Sequence, residues 1–150
     1  MRLENTKIEN YATAGKATLT IHNTESDKHF TYEILAPKKK TENGGFKVDH
    51  EAPVRFVKVL TGNNNNSDYT FLGTLFKTDN GWIFKHGKKS SITENATSSK
   101  AFDWTWKKIA TNALPEKVEV LHDGCCGRCG RKLTHPESLH IGLGPECASK

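Results

Sequence analysis

The chain has 150 residues, a formal net charge of +5 and 26% charged side chains, with a mean hydropathy of −0.65. That length suits one domain, or a domain with an appended finger, and no apolar run approaches the roughly 18 residues that a membrane-spanning helix needs. The opening run MRLENTKIEN carries charges and amides where a secretion signal would be apolar, so the expected setting is a reducing cytoplasm.

Strand signals come first along the chain. Lys16 to Asn23 alternates with Ala17, Leu19 and Ile21 on one face, and His29 to Leu35 repeats the pattern with Phe30, Tyr32 and Ile34. The turn-forming residues between them predict a β-hairpin. Pro37 to Gly45 follows as a polar loop. Val54 to Leu60 is a further strand, with Val54, Phe56 and Lys58 on one face and Arg55, Val57 and Val59 on the other. The four asparagines Asn63 to Asn66 form a turn or loop tip, after which Asp68 to Lys77 and Trp82 to His86 continue the sheet across Asn80-Gly81, a strong hairpin signal.

One helix is predicted over about residues 98–113. Phe102, Trp106, Ile109 and Ala113 fall on one apolar face, Ser98 or Ser99 supplies the N-cap and Pro115 the stop. Trp104 lies off that stripe, so it either meets a second surface or stays partly exposed. Lys117 to Leu121 reads as a last short strand that delivers His122 and the segment after it to a sheet edge. The fold class expected is α+β: an antiparallel β-sheet body with one helix over residues 1–115, and a zinc-binding finger over 116–150.

All four cysteines stand in that C-terminal segment. Cys126-x-x-Cys129 lets two thiolates of one tight turn reach a single ion, with Gly127 and Gly130 allowing the backbone a crowded knuckle needs. Cys147 follows Cys129 after seventeen residues, and Gly144-Pro145 can turn the chain back. Zn²⁺ is the expected occupant, because it accepts mixed sulfur and imidazole ligands in a closed tetrahedron and brings no redox chemistry. His122 is placed first as the fourth ligand, with Cys125, His135 and His140 as competitors. Two disulfides or a redox pair are the alternatives, but neither a secretory context nor a βαβ pattern accompanies the CxxC.

The run Cys126-Gly-Arg-Cys-Gly-Arg-Lys-Leu-Thr-x-Pro-Glu-Ser, followed by Gly142-x-Gly144-Pro145-Glu-Cys147, resembles a small zinc-binding family of uncharacterised domains found mostly in bacteriophage and prophage proteins. His122 and Gly124 reproduce a His and a Gly that its members commonly carry ahead of the first cysteine. The preceding blocks VRFVKVLTGNNNNSDYTFLGTLF and SSKAFDWTWKKI look like the region that often accompanies this finger in phage proteins. The resemblance implies a phage or prophage origin and a structural metal rather than a reaction.

Charge points to a partner. Between Lys77 and Lys108 seven lysines stand against three acidic residues, and Lys85, Lys88 and Lys89 share one loop. With Trp104, Lys107 and Lys108, and with Arg128, Arg131 and Lys132 on the knuckle, these are the candidates to contact the backbone of DNA or RNA, with Trp82, Phe84 or Trp104 offering bases a stacking face. Lysines that only solvate the surface are the competing reading. Arg128 and Arg131 either fork onto phosphates or hold Glu137 or Glu146 across the loop. No phosphate-cradling GxxxxGK[ST], HExxH or GxSxG run occurs and the acidic residues are scattered singly, so no reaction is expected. Two functions stay open: a nucleic-acid-binding accessory factor, or a phage-encoded factor that inhibits a host defence complex, in the manner of an anti-CRISPR protein.

Overall fold

Two hairpins set the frame of the protein. In this computed structural model, which describes residues 1–64 and 67–149, β1 (Lys16–Asn23) pairs antiparallel with β2 (His29–Leu35), with Ile21 opposite Phe30. The connecting turn is tied by Asn23, whose Oδ1 accepts the N–H groups of Glu25 and Ser26. A short hairpin, β3 (Lys38–Lys40) with β4 (Phe46–Val48), occupies the segment expected as a loop. The chain then returns as β5 (Val54–Leu60), which pairs with β2, and continues into β6 (Tyr69–Thr78) and β7 (Gly81–His86). Of the predicted asparagine tip, Asn65 and Asn66 lie outside the described residues.

The sheet closes with β8 (Val118–His122) against β1, giving six antiparallel strands in the order β7-β6-β5-β2-β1-β8. One strand irregularity matters. Val57 opposes Gly73 and Lys58 opposes Phe71, so Leu72 is the extra residue of a β-bulge and turns into the core, where it is fully buried.

One face of the sheet carries the core. Ala17, Leu19, Tyr32, Ile34, Val57, Val59, Leu75, Val118 and Val120 meet two helices there, α1 (Ile8–Ala12) and α2 (Thr97–Ala110). The short α1 has no strong periodic signal in the sequence and was not expected; Ile8, Tyr11 and Ala12 bury it. From α2, Phe102 lies between Tyr32 and Phe84 at ring-centroid distances of 4.9 and 4.8 Å, and Trp106 donates its Nε1–H to the Trp82 carbonyl at 2.8 Å.

Two sequence expectations shift here, and the choice of face that alternation left open in β5 is settled. The α2 cap is not Ser98 or Ser99: the helix starts after Ala96, and the Ser99 hydroxyl donates to the Thr93 carbonyl at 2.7 Å. It also stops before Ala113, because Asn112 adopts φ 51° while the N–H groups of Asn112 and Ala113 return to Ile109 and Lys108. That pattern is a Schellman motif with asparagine in the left-handed position, and it ends the helix ahead of Pro115. The buried face of β5 is the one with Arg55. Its guanidinium donates to the carbonyls of Thr13, His50, Ala52 and Val54 at 2.8–3.0 Å and lies 4.9 Å from the Trp82 ring centroid, which satisfies a charged group at 3% exposure.

Both helices cover one face, and among the described residues no helix lies over the other. Register places Leu35, Phe56, Thr74 and Lys85 in one cross-strand row and Val54, Phe76 and Ile83 in the next. Among the described residues, no helix is long and apolar enough to cross a membrane.

Candidate metal centre

The C-terminal segment grows out of β8, an edge strand of the body sheet, so residues 116–122 belong to the body and the finger proper begins after His122. The N-terminus runs along the outer side of β8: Leu3 N–H donates to Val120 O at 2.9 Å and His122 N–H to Met1 O at 2.8 Å. Beyond His122 the chain makes a tight loop. Cys126 N–H donates to Arg131 O, Gly130 N–H to Cys126 O, and Gly130 takes φ 79°. Two short helices follow, α3 (Pro136–Ile141) and α4 (Pro145–Ala148), the latter carrying Cys147 back to the loop.

Cys126, Cys129 and Cys147 converge. Their sulfurs lie within 4.8 Å of one another, and none of the four cysteines forms a disulfide. The backbone supports anionic sulfur: N–H groups of Arg128 and Gly144 both point at Cys126 Sγ at 3.4 Å. Burial pushes the Cys126 thiol up, but the N–H donors of Gly144, Cys129 and Arg128 more than offset it and bring the thiol to about 7. Cys147 goes the other way, pushed up to about 12 by burial and by hydrogen bonds shared with Cys126 and Cys129. Sulfurs that must share protons in this way present the donor set that a dication takes over on binding, releasing those protons. The three cysteines form a cluster able to hold a metal ion.

Residues 118–150 match a family of unknown function, DUF6011. The matched span covers β8, the loop and both short helices, so it coincides with the cysteine cluster and the strand that anchors it. No curated protein and no solved structure matches the chain.

His122, placed first as the fourth ligand, is engaged elsewhere. Its Nε2–H donates to the Leu139 carbonyl at 2.6 Å, its Nδ1 accepts the Gly124 N–H at 2.9 Å, and the residue is 4% exposed. A neutral imidazole has one donor and one acceptor nitrogen, and here both are used. Burial pushes its pKa down, and its ring lies 5.7 Å from that of Tyr11. His122 therefore locks α3 onto the sheet edge rather than joining the sulfurs. Cys125 stands outside the cluster too; it bridges to Lys132, and the side chain of its neighbour Cys126 takes the buried position.

Glycine placement follows a different logic from the one expected. Gly130 does need a positive φ, but Gly127 does not; it is there because a Cβ would meet the Tyr11 ring at 2.7 Å and the Tyr11 carbonyl at 2.8 Å. Gly142, at φ 74° after α3, packs against the same Tyr11 ring and against Leu3. Tyr11 is thus the surface on which the finger sits. Its hydroxyl is fixed in turn, donating to Thr18 O at 2.7 Å and accepting Thr18 N–H at 3.1 Å.

The predicted basic residues fall into separate groups. Lys85 lies on the helix-free sheet face with Nζ 5.9 Å from the Phe76 ring, and it also borders, with Lys100 and Lys107, a groove of about 480 Å³ between β7 and α2 that Glu94 and Asp103 partly neutralise. Lys107 pairs with Asp103 at 3.0 Å, and Lys108 sits 5.8 Å from the ring of Trp104, which is 41% exposed. Lys88 and Lys89 are exposed on a loop pinned at both sides, by Gly87 N–H to Leu72 O and by the Ser90 hydroxyl to Phe71 O. Arg131 and Lys132 line a cavity of about 620 Å³ that the three thiols open into. Among the described residues neither Arg128 nor Arg131 is ion-paired to Glu137 or Glu146.

Sequence reading passed over Phe56 and Phe76. Both are 37% exposed and Ile83 beside them is 44% exposed. The signal available was the alternation of β5, which had Phe56 and Arg55 on opposite faces but did not say which face the helices would cover.

Proposed function

We propose that the protein is a non-catalytic accessory factor that binds single-stranded nucleic acid and whose C-terminal segment is stapled by zinc. The observation that supports this best is the helix-free sheet face. Phe56 opposes Thr74, and Phe76 lies two residues beyond Thr74 on β6, so the two phenylalanines occupy diagonal positions on adjacent strands, a spacing of roughly 7–8 Å that aromatic side chains can span. Lys58 and Lys85 flank them, Lys85 close enough to Phe76 for a cation–π contact. Exposed aromatic rings on a sheet with cations beside them provide what unpaired bases need: a stacking surface and a counter-charge for the backbone. Arg131 and Lys132 add a separate positive surface on the finger, at the β8 edge of the sheet. Zinc suits the cluster because three thiolates with an imidazole or a fourth thiolate make its usual structural set. Thiolate ligation requires a reducing compartment, and we take it to be the cytoplasm of a bacterium carrying a phage or prophage, an origin that the resemblance of the finger suggests.

The test is fluorescence anisotropy with labelled single-stranded DNA and RNA homopolymers of about twenty nucleotides, titrated across salt concentrations. Binding should weaken linearly on a log–log plot with a slope of about −0.7 for each phosphate neutralised, and Phe56→Ala and Phe76→Ala should each cost about 1–3 kcal/mol. Salt-independent affinity, or none for any strand at low salt, would sink the reading. The contiguous apolar patch of Phe56, Phe76 and Ile83 favours the second reading, docking on a protein of a host defence complex; in that case a pull-down from host lysate would recover a stoichiometric protein that Phe76→Ala loses, with no oligonucleotide binding.

A further inference from the structure

We infer that His135 is the fourth ligand and that the centre is a Cys₃His site. The inference rests on the metal reading of the cysteine cluster and is independent of the nucleic-acid reading. Three sulfurs leave a tetrahedral ion one position short, and structural zinc sites close that position with sulfur or imidazole. Four side chains compete, and the structure separates them. Both nitrogens of His122 are spent on Leu139 and Gly124. Cys125 does not line the cavity into which the other three thiols open. His140 borders a different cavity, shared with residues Met1 to Thr6. His135 alone among the imidazoles lines the cavity into which Cys126, Cys129 and Cys147 open.

Its position in the chain explains why it is suited to the task. His135 immediately precedes α3 with φ −81° and ψ 133°, held extended ahead of Pro136 at the first helical position. The helix that begins there is anchored by its far end, where the Leu139 carbonyl accepts the His122 Nε2–H. The backbone of His135 is therefore fixed by the packing of α3 on the sheet edge, while its side chain is exposed and its ring makes no hydrogen bond among the described residues. Its ring nitrogens stand outside the 4.8 Å sulfur cluster, so ligation requires the exposed side chain to turn towards the sulfurs about χ1 and χ2. His122 and His135 then divide the work: the buried histidine positions α3, and the exposed one at the start of α3 meets the ion. The carboxylate of Glu146 also borders the cavity, but it is the harder donor for a thiolate-rich zinc site.

Zinc K-edge X-ray absorption on the full-length, zinc-loaded chain tests this directly. Three sulfurs at about 2.3 Å and one nitrogen at about 2.0–2.1 Å, with the outer-shell scattering of one imidazole, are expected. His135→Ala should abolish the imidazole scattering and weaken zinc binding by at least about tenfold, the lower end of what losing even an outer-shell partner costs. His135→Cys should restore affinity with four sulfurs, and Glu146→Gln should change neither. Imidazole scattering that survives His135→Ala, or a wild-type shell of three sulfurs with oxygen or of four sulfurs, would overturn the assignment while leaving the metal centre intact. A wild-type chain that binds no zinc would instead overturn the metal reading itself, and the ligand assignment with it.

Discussion

Three glycines around the finger form an internal series in which backbone strain and steric contact are added one at a time, and replacing each with alanine separates the two. Gly144 has φ −66° and open space where a Cβ would stand. An alanine fits there without strain and restricts the unfolded chain, so Gly144→Ala should stabilise by about 0.4–1 kcal/mol. Gly124 has φ 86° and no atom within 4 Å of a built Cβ, so Gly124→Ala carries only the left-handed penalty, about 1–2 kcal/mol. Gly142 combines a φ of 74° with a Cβ that would strike the Tyr11 ring and approach Leu3 at 3.0 Å. Tyr11 cannot step aside, because its hydroxyl is held at both ends by Thr18. Adding an overpacking cost of about 1–3 kcal/mol to the left-handed term puts Gly142→Ala at roughly 2–5 kcal/mol. Urea unfolding at a fixed free zinc concentration measures all three, comparing midpoints at constant m-value. If Gly142→Ala cost no more than Gly124→Ala, the finger would not be seated on Tyr11 and the account of its anchoring would be wrong.

Other predictions follow from the same contacts. Protein purified without added metal should hold about one zinc per chain by elemental analysis, and Cys126→Ser or Cys147→Ser should expose the C-terminal segment to hydrogen exchange while the sheet stays protected; a stoichiometry near zero would refute the centre. Replacing Arg55 by methionine leaves the carbonyls of Thr13, His50, Ala52 and Val54 without their donor, and should cost at least about 3 kcal/mol by chemical denaturation. Protonated His22 donates from Nδ1 to Glu119 on β8 and from Nε2 to Asp27 in the turn, and those hydrogen bonds raise its pKa above the ordinary histidine value. A raised histidine contributes stability that is complete below its unfolded value and disappears as pH climbs through the folded one. The stability difference between wild type and His22→Gln should therefore be larger at pH 5.5 than at pH 8.5, and equal differences at the two would contradict the bridge.

How far the sequence reached depended on whether a decision was local. Strand periodicity and turn residues are local, so β1, β2 and β5 fall on the predicted residues, and the Asn80-Gly81 turn joins β6 to β7 as expected. It closes by another route, however: the positive φ lies on Gly81 and not on Asn80. The end of α2 was missed because a Schellman stop at Asn112 leaves a weaker mark than Pro115. The burial of Arg55 and the exposure of Phe56 and Phe76 could not be read at all, since alternation gives two faces and only the packing of α1 and α2 chooses between them. In the finger, the cysteines were legible because spacing alone brings thiols together. The ligand role given to His122 failed for the opposite reason. A histidine near a CxxC looks the same in sequence whether its nitrogens meet a metal or, as here, a carbonyl and an N–H from the chain that wraps around it.

That distinction bears on what a bound metal would do for the fold. The finger is joined to the body by interactions that need no ion: β8 pairing with β1, the Met1–Leu3 segment along β8, His122 on Leu139, and the contacts of Gly127 and Gly142 with Tyr11. These fix the start of the loop and the C-terminal half of α3. None of them fixes Cys129, which is exposed, or the short α4 that carries Cys147. Four residues make barely one helical turn, far below the length at which a helix holds in water unaided. An ion held by the three cysteines would thus act mainly on the Cys129 turn and the last stretch of chain, since Arg131 and Lys132 are already paired with Cys126 and Cys125. Removing it should leave the six-stranded sheet and its aromatic face intact while loosening Cys129 and the last stretch of chain, so the nucleic-acid binding proposed above should persist in the metal-free protein rather than vanish.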